Sequence, residues 1–252
     1  MSLSLPTPLY DANTTGAGAF GKLPDWDLSD LYPSTDGPEF TRDMVWLQKA
    51  CADFAAAYEG KLAGLDAAAM LTCVQTYEQI DIVAGRIMSF AGLRYYQNTM
   101  DSDRAKFMAD AQDNITGYTT PLVFFSLEFN RLEDGHLSQL LDANAALARY
   151  EPVFDRMRAM RPHQLSDELE KFLHDASVVG SAAWNRLFDE TMAGLMFEVA
   201  GEEDPLSLEA TLNLLTDPDR TKREAAARAL AVVFEGHIKL FARVHNTLAK
   251  EK

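Results

Sequence analysis

The stretch DAAAMLTCVQTYEQIDIVAGRIMSFAGLRY, residues 66–95, decides the fold class of this chain. Its apolar residues recur at steps of three and four, which places them along one face of a helix. Asp66 precedes the pattern and has the side chain of a helix N-cap, which accepts hydrogen bonds from backbone N–H groups of the first turn. At 3.6 residues per turn, the stripe extends over about eight turns. The stretch therefore predicts one long amphipathic helix with an apolar face of Met70, Cys73, Tyr77, Ile80, Ala84, Ile87, Met88, Ala91 and Tyr95.

The same periodicity on both sides of this stretch predicts further helices. They cover residues 38–60, 101–129 with a kink at Pro121, 135–149, 151–160 and 166–191, followed by a long terminal helix that starts at Thr216. One segment departs from helical spacing, because two short apolar runs flank residues 201–205 and predict a short β-hairpin near 195–208. The predicted fold class is mainly α, an elongated multi-helix bundle of six or seven helices with that one hairpin.

Composition along the chain predicts three parts. Residues 1–22, with scattered Gly, Thr, Ser and Pro, are predicted to be a flexible arm. Residues 23–192 are predicted to form an amino-terminal helical domain, and residues 193–252 to form the hairpin plus the long terminal helix.

The charge balance excludes some classes of partner. The chain has 23 Lys and Arg against 38 Asp and Glu, a formal net charge of −15. Affinity for phosphates comes from Lys and Arg, so nucleic acid and anionic membranes are not expected partners. No run approaches the ~18 consecutive apolar residues of a membrane span. Cys51 and Cys73 have no metal-ligand or redox spacing and are predicted to be reduced core thiols of a cytoplasmic protein.

The residues give no catalytic or metal-binding motif. The sequence contains five histidines and no H-E-x-x-H, the helical motif that holds zinc in many peptidases. Glu170 and His174 are four apart on a predicted helix and could share a metal, but such pairs are usually solvated surface contacts. No nucleophile elbow or phosphate-binding loop is present either. The residues alone therefore predict a scaffold with no catalytic residue, no metal ligand and no assignable substrate-binding residue.

Five residues are predicted to be structural anchors. Trp26 and Trp184 are large side chains that more often fix a fold than contact a substrate. His163 follows Pro162 and precedes a predicted helix cap, which favours a loop-fixing hydrogen bond. Arg186 is predicted to pair with Asp189 or Glu190. His237 falls in the apolar stripe of the last helix, where a buried histidine is expected.

Four phrases in the sequence occur together in a characteristic order. They are WDLSDLYP at 26–33, RPHQLSDELEK at 161–171, AWNRLFDE at 183–190 and LTDPDR at 215–220. The ordered set resembles the amino-terminal region of oligoendopeptidase F and related thimet-oligopeptidase-like zinc metallopeptidases.

The resemblance implies a zinc metalloendopeptidase that hydrolyses short peptides in a channel between helical lobes. Zinc in that family is held by an H-E-x-x-H motif and a downstream Glu, none of which occurs in this sequence. The resemblance therefore implies that this chain is a non-catalytic part that binds no zinc, forms one wall of the channel, and leads toward a catalytic domain of the same polypeptide.

Two alternatives remain open at this stage. One is an autonomous helical protein-interaction module without enzymatic activity, and the other is a complete metalloenzyme with an unrecognised carboxylate and histidine site. A non-catalytic half is expected to expose an apolar patch near Phe234, His237 and Phe241, which a self-contained module would not show.

Overall fold

The computed structural model describes residues 26–251, and these residues are mainly helical. They form eleven α-helices, nine of which have at least nine residues, together with three short 3₁₀ turns. The helices are α1 (Pro38–Tyr58), α2 (Ala67–Gln97), α3 (Ser102–Thr119), α4 (Val123–Arg131), α5 (Asp134–Ala143), α6 (Ala145–Ala148), α7 (Glu151–Ala159), α8 (Asp167–Ala176), α9 (Ser181–Gly194), α10 (Leu208–Leu214) and α11 (Arg220–Glu251). None of these described helices is both long enough and apolar enough to cross a membrane. The predicted flexible arm, residues 1–22, lies outside the described residues.

The prediction of six or seven helices is wrong because local signals divide three of the predicted segments. Pro121 has no backbone N–H and lies in a 3₁₀ turn, Thr120–Leu122, that separates α3 from α4. The Asn144 side chain accepts hydrogen bonds from the backbone N–H groups of Ala146 and Leu147, at 3.0 and 3.2 Å, so that α5 ends and α6 begins there. A turn over residues 177–180 likewise separates α8 from α9.

The predicted β-hairpin at residues 195–208 is also wrong, because only one antiparallel bridge forms there. Phe197 and Leu206 exchange two backbone hydrogen bonds of 2.9 Å. The chain already turns beyond this pair, since the N–H of Glu202 donates to the carbonyl of Val199 at 3.1 Å. On the other side Ser207 caps α10, so the residues that follow Leu206 are helical and cannot extend the strand pairing.

The described residues divide into two compact units, each with its own core. One unit consists mainly of Leu28–Leu187 and the other mainly of Phe188–Thr247. The first core contains Phe54, whose ring lies 5.7 to 5.8 Å from the rings of Tyr77, Phe124 and Phe125. The second core consists of Leu195, Phe197, Val199, Ala226, Ala229 and Leu230.

A buried polar cluster fixes the segment before α1 within the first unit. Tyr32 is 1% exposed, and its hydroxyl donates to Asp43 Oδ2 at 2.9 Å. The guanidinium of Arg86 donates to the same oxygen at 3.3 Å and to the Leu31 carbonyl at 2.6 Å, and it lies 4.3 Å from the centre of the Tyr32 ring. Arg42 donates to the other Asp43 oxygen at 2.9 Å. Asp43 is therefore buried with a full set of donors.

Candidate functional site

A cavity of about 450 Å³ lies within the unit Leu28–Leu187 and is the candidate site. Its lining comes from α2, from the α3–α4 junction and from α8. The apolar part of the wall is formed by Ile80, Ala84, Leu122, Val123 and Leu173. The polar part is formed by Tyr77, Asp81, Thr119, Ser126, Glu170 and His174.

Helical spacing explains why the polar side chains meet at one cavity. Tyr77 and Asp81 are four residues apart on α2, and Glu170 and His174 are four apart on α8, so each pair shares a helix face. One oxygen of Glu170 accepts a hydrogen bond from the backbone N–H of Leu165 at 2.8 Å. This bond fixes the carboxylate at the start of α8.

The Thr119 hydroxyl on α3 contacts His174 on α8. Its oxygen lies 2.8 Å from the Ile115 carbonyl oxygen and 3.1 Å from His174 Nε2. This contact joins the α3–α4 junction to α8 beside the cavity.

Two carboxylates at the cavity, those of Asp81 and Glu170, have no basic partner within the described part of the chain. Among the described residues, no Lys or Arg forms an ion pair with Asp81 or Glu170, and no Lys or Arg lines the cavity. Burial raises the pKa of the Tyr77 phenol, and the nearby Asp81 carboxylate raises it further, so this side chain is neutral. The two carboxylates thus set the charge of the cavity.

The sequence identified only part of this site. The Glu170 and His174 pair is present, but Asp81, Thr119 and Ser126 were not recognised as its neighbours. His174 and Thr119 are 55 residues apart, and no local pattern signals such a contact. Within the described part of the chain, no group of three or more His, Cys, Asp or Glu side chains could hold a metal ion.

Two of the predicted anchors have defined hydrogen-bond partners. Arg186 is half-buried, and its guanidinium donates to Gln112 Oε1 at 3.3 Å and to the Val178 carbonyl at 3.4 Å, in place of the predicted ion pair with Asp189 or Glu190. His237 is half-buried, and its Nδ1 lies 2.8 Å from the Val233 carbonyl, which can only accept, so the ring donates from Nδ1. The contacts of Arg186 join α9 to α3 and to the turn before α9, and the contact of His237 lies within α11. The anchoring role of each residue stays a prediction.

The other three predicted anchors differ in exposure. Trp26 is 56% exposed, His163 is exposed at the end of the turn Arg161–His163, and Trp184 is half-buried on α9. None of the three lines the cavity. Their predicted anchoring roles are also untested by these positions.

An exposed apolar surface lies on α8. Leu169, Phe172 and Leu173 are 51%, 65% and 50% exposed, and we call these three residues the α8 face. On α11, Phe234 and Phe241 are half-buried against the second core, whereas Val232 and Ile238 are 69% and 61% exposed. The patch expected near Phe234, His237 and Phe241 therefore stays a prediction.

Comparison with known proteins finds similarity to oligopeptidases, both with a family model and with individual relatives. A family model described as Oligopeptidase F matches residues 128–197, which include α8 and its cavity residues. The chain is 25% identical over 233 residues to the group B oligopeptidase PepB of Streptococcus agalactiae, covering 90% of this chain and 38% of the relative. It is 25% identical over 235 residues to the oligopeptidase PepF of Bacillus subtilis, covering 89% and 32%. The chain therefore spans about a third of the length of these curated relatives.

A solved structure shares the fold. The crystal structure of oligoendopeptidase-F from Enterococcus faecium superposes with a TM-score of 0.75 at 24% identity, over 86% of this chain and 42% of that one. The sequence relatives and the shared fold agree with the resemblance carried by the ordered phrases at 26–33, 161–171, 183–190 and 215–220. By these matches, the chain is similar to the amino-terminal region of oligoendopeptidase F and its related oligopeptidases.

Proposed function

We propose that this chain is the amino-terminal, non-catalytic part of a cytoplasmic, zinc-dependent oligoendopeptidase that hydrolyses short peptides. In this proposal it forms one wall of the channel in which those peptides bind. The observation that carries the proposal is the match of about 90% of this chain to only about a third of two oligopeptidases. The reduced and buried thiols of Cys51 and Cys73 are compatible with a cytoplasmic location.

The residues of this chain do not fit a zinc site of its own. The 252 residues contain no H-E-x-x-H, and the described residues contain no group of three candidate ligands. Catalytic zinc sites use three protein ligands and keep one position open for water or substrate. The proposal therefore assigns zinc and the hydrolytic step to a catalytic domain of the same polypeptide.

In this proposal the chain contributes the shape and the charge of one channel wall. A rigid wall needs packed helices, and the first unit supplies an aromatic core around Phe54. The net charge of −15 creates a negative potential that favours cationic over anionic peptides near the wall. Neither contribution needs a reactive side chain.

An autonomous protein-interaction module is the second candidate. The α8 face supports it, because three large apolar side chains that are at least half exposed on one short helix can bury surface against a partner. The same face is compatible with the first proposal if another part of the polypeptide covers it. The two proposals therefore make different predictions for peptide hydrolysis, whereas both are compatible with the exposed α8 face.

The test compares the 252-residue chain with a polypeptide extended by the downstream coding sequence. Zinc content is measured by mass spectrometry, and hydrolysis is measured with an internally quenched peptide. We expect stoichiometric zinc and cleavage only for the extended polypeptide. Zinc binding and cleavage by the 252-residue chain alone would refute the non-catalytic assignment. Inactivity of both would favour the interaction module.

A further inference from the structure

We propose that the cavity lined by α2, the α3–α4 junction and α8 binds a cationic side chain, an ammonium or guanidinium group on an aliphatic stem. This inference rests on the proposed function for the source of the cation, which is a Lys or Arg side chain of a peptide substrate. The binding chemistry itself follows from the cavity.

The first argument is the match of size and wall chemistry. Ligand pockets have volumes of about 300–1,000 Å³, and this cavity, at about 450 Å³, lies within that range. Ile80, Leu122 and Val123 give it an aliphatic surface. The methylene stem of a long basic side chain packs along such a surface while its head group stays at the polar side.

The second argument is the absence of competing cations. Asp81 and Glu170 form no ion pair with any Lys or Arg of the described residues. Lys171, the basic residue next to Glu170, is paired with Glu59 at 2.8 Å instead. The two carboxylates are therefore available to an external cation.

The third argument is that the cavity offers acceptors to a group that only donates. The carboxylate oxygens of Asp81 and Glu170 are acceptors, and Ser126 donates its hydroxyl hydrogen to the Val123 carbonyl at 3.2 Å, which leaves its oxygen as an acceptor. Ammonium and guanidinium groups carry only donors, so their hydrogen bonding complements these oxygens.

The experiment is a titration of the isotope-labelled 252-residue chain followed by NMR. The probes are n-butylammonium, its neutral analogue 1-pentanol and its anionic analogue pentanoate. We expect n-butylammonium to shift the signals of Thr119, Ser126 and His174 selectively, with a Kd that rises as salt is added. Equal shifts from all three probes, or shifts located elsewhere, would overturn the proposal.

Variants test the role of the carboxylates. We expect Asp81→Asn and Glu170→Gln each to weaken n-butylammonium binding by about three- to fivefold, the range of a partly exposed ion pair. The matched control is Glu168→Gln, an exposed carboxylate on the same helix that does not line the cavity, which should change the Kd by less than about twofold. If all three variants had the same small effect on the Kd, the carboxylates of Asp81 and Glu170 would not contribute to binding.

Two further probes separate a side chain from a peptide amino terminus. Nα-acetyl-lysine amide carries its cation on the side chain, and norleucine amide carries it on the α-amino group. Preference for the acetylated lysine supports the assignment to a side chain, and equal or tighter binding of norleucine amide overturns it.

The outcome is separable from that of the proposed function. Probe binding is measured on the 252-residue chain and requires no hydrolysis. Failure of the extended polypeptide to bind zinc and cut peptides would remove the proposed function and leave a positive cavity result standing. Failure of probe binding would remove the cavity inference alone.

Discussion

The Tyr32→Phe substitution tests whether the buried cluster around Asp43 stabilises the first unit. It removes one hydroxyl and leaves the ring in place, so packing against the core is kept. The lost interaction is the 2.9 Å hydrogen bond from a side chain that is 1% exposed to the Asp43 carboxylate. Water cannot replace the hydroxyl at so buried a position without rearrangement of the core.

The expected magnitude follows from the charge and the remaining partners of Asp43. A hydrogen bond to a charged group contributes about 1.5–3 kcal/mol to the free energy of unfolding. Arg86 and Arg42 still donate to the carboxylate at 3.3 and 2.9 Å, so Asp43 is not left without partners. We therefore expect a loss of about 2 kcal/mol, which lowers Tm by about 4–8 °C for a unit of this size.

Urea unfolding followed by circular dichroism measures this difference. The control is Tyr96→Phe, because Tyr96 is exposed and this change should stay within about 0.5 kcal/mol. In the background of Asp43→Asn, the cost of Tyr32→Phe should shrink, since the hydroxyl then has no carboxylate to bind. Equal effects of Tyr32→Phe and Tyr96→Phe, or an undiminished cost in that background, would refute the reasoning.

Three further predictions concern packing, thiol reactivity and pH. Phe54→Ala should destabilise the chain by about 3–5 kcal/mol in urea unfolding because it opens a cavity in the aromatic cluster, whereas Phe172→Ala on the exposed α8 face should cost no more than about 0.5 kcal/mol. Burial raises the pKa of Cys51 to about 11 and that of Cys73 to about 12, so neither thiol should react with Ellman's reagent at pH 8 until the chain is unfolded; fast reaction of the native chain would contradict this. Burial, and then the hydrogen bond to Asp43, raise the pKa of Tyr32 above its ordinary value of about 10. The stability that depends on the protonated hydroxyl is fully present below that pH, so the destabilisation by Tyr32→Phe should be constant between pH 7 and 9 and shrink above about pH 10; a difference that grows with alkaline pH would contradict the shift.

Several elements of the fold were predictable because their signals are local. Asp66 caps α2 as predicted, accepting from the Ala69 N–H at 2.8 Å, and Asp101 accepts from two N–H groups at the start of α3. In both cases the carboxylate and its partners lie within three residues of one another. Periodicity likewise predicted α1, which begins at Pro38 and ends at Tyr58. Such features depend on neighbours in sequence alone.

Other elements were not predictable because they depend on competition between neighbouring strand and helix signals or on contacts between residues distant in sequence. The apolar runs around Phe197 fit a hairpin, but Ser207 nucleates α10 and removes the residues that a second strand would need. The cavity requires that Thr119 and His174 meet across 55 residues, a contact that only the packing of α8 on the α3–α4 junction creates. A single sequence shows the four-residue spacing within each helix. It does not show that the two helices pack against each other.

The carboxylate of Asp43 and those of Asp81 and Glu170 differ in how their charge is balanced. Asp43 is buried and receives donors from Tyr32, Arg42 and Arg86, so its charge is balanced within the protein. A buried charge is usually paired in this way because desolvation is costly. Asp81 is exposed and Glu170 is half-buried, and they border an open cavity without an ion pair to a Lys or Arg of the described residues. Solvent reaches these two carboxylates, so a cation that enters the cavity can bind them without displacing a Lys or Arg side chain.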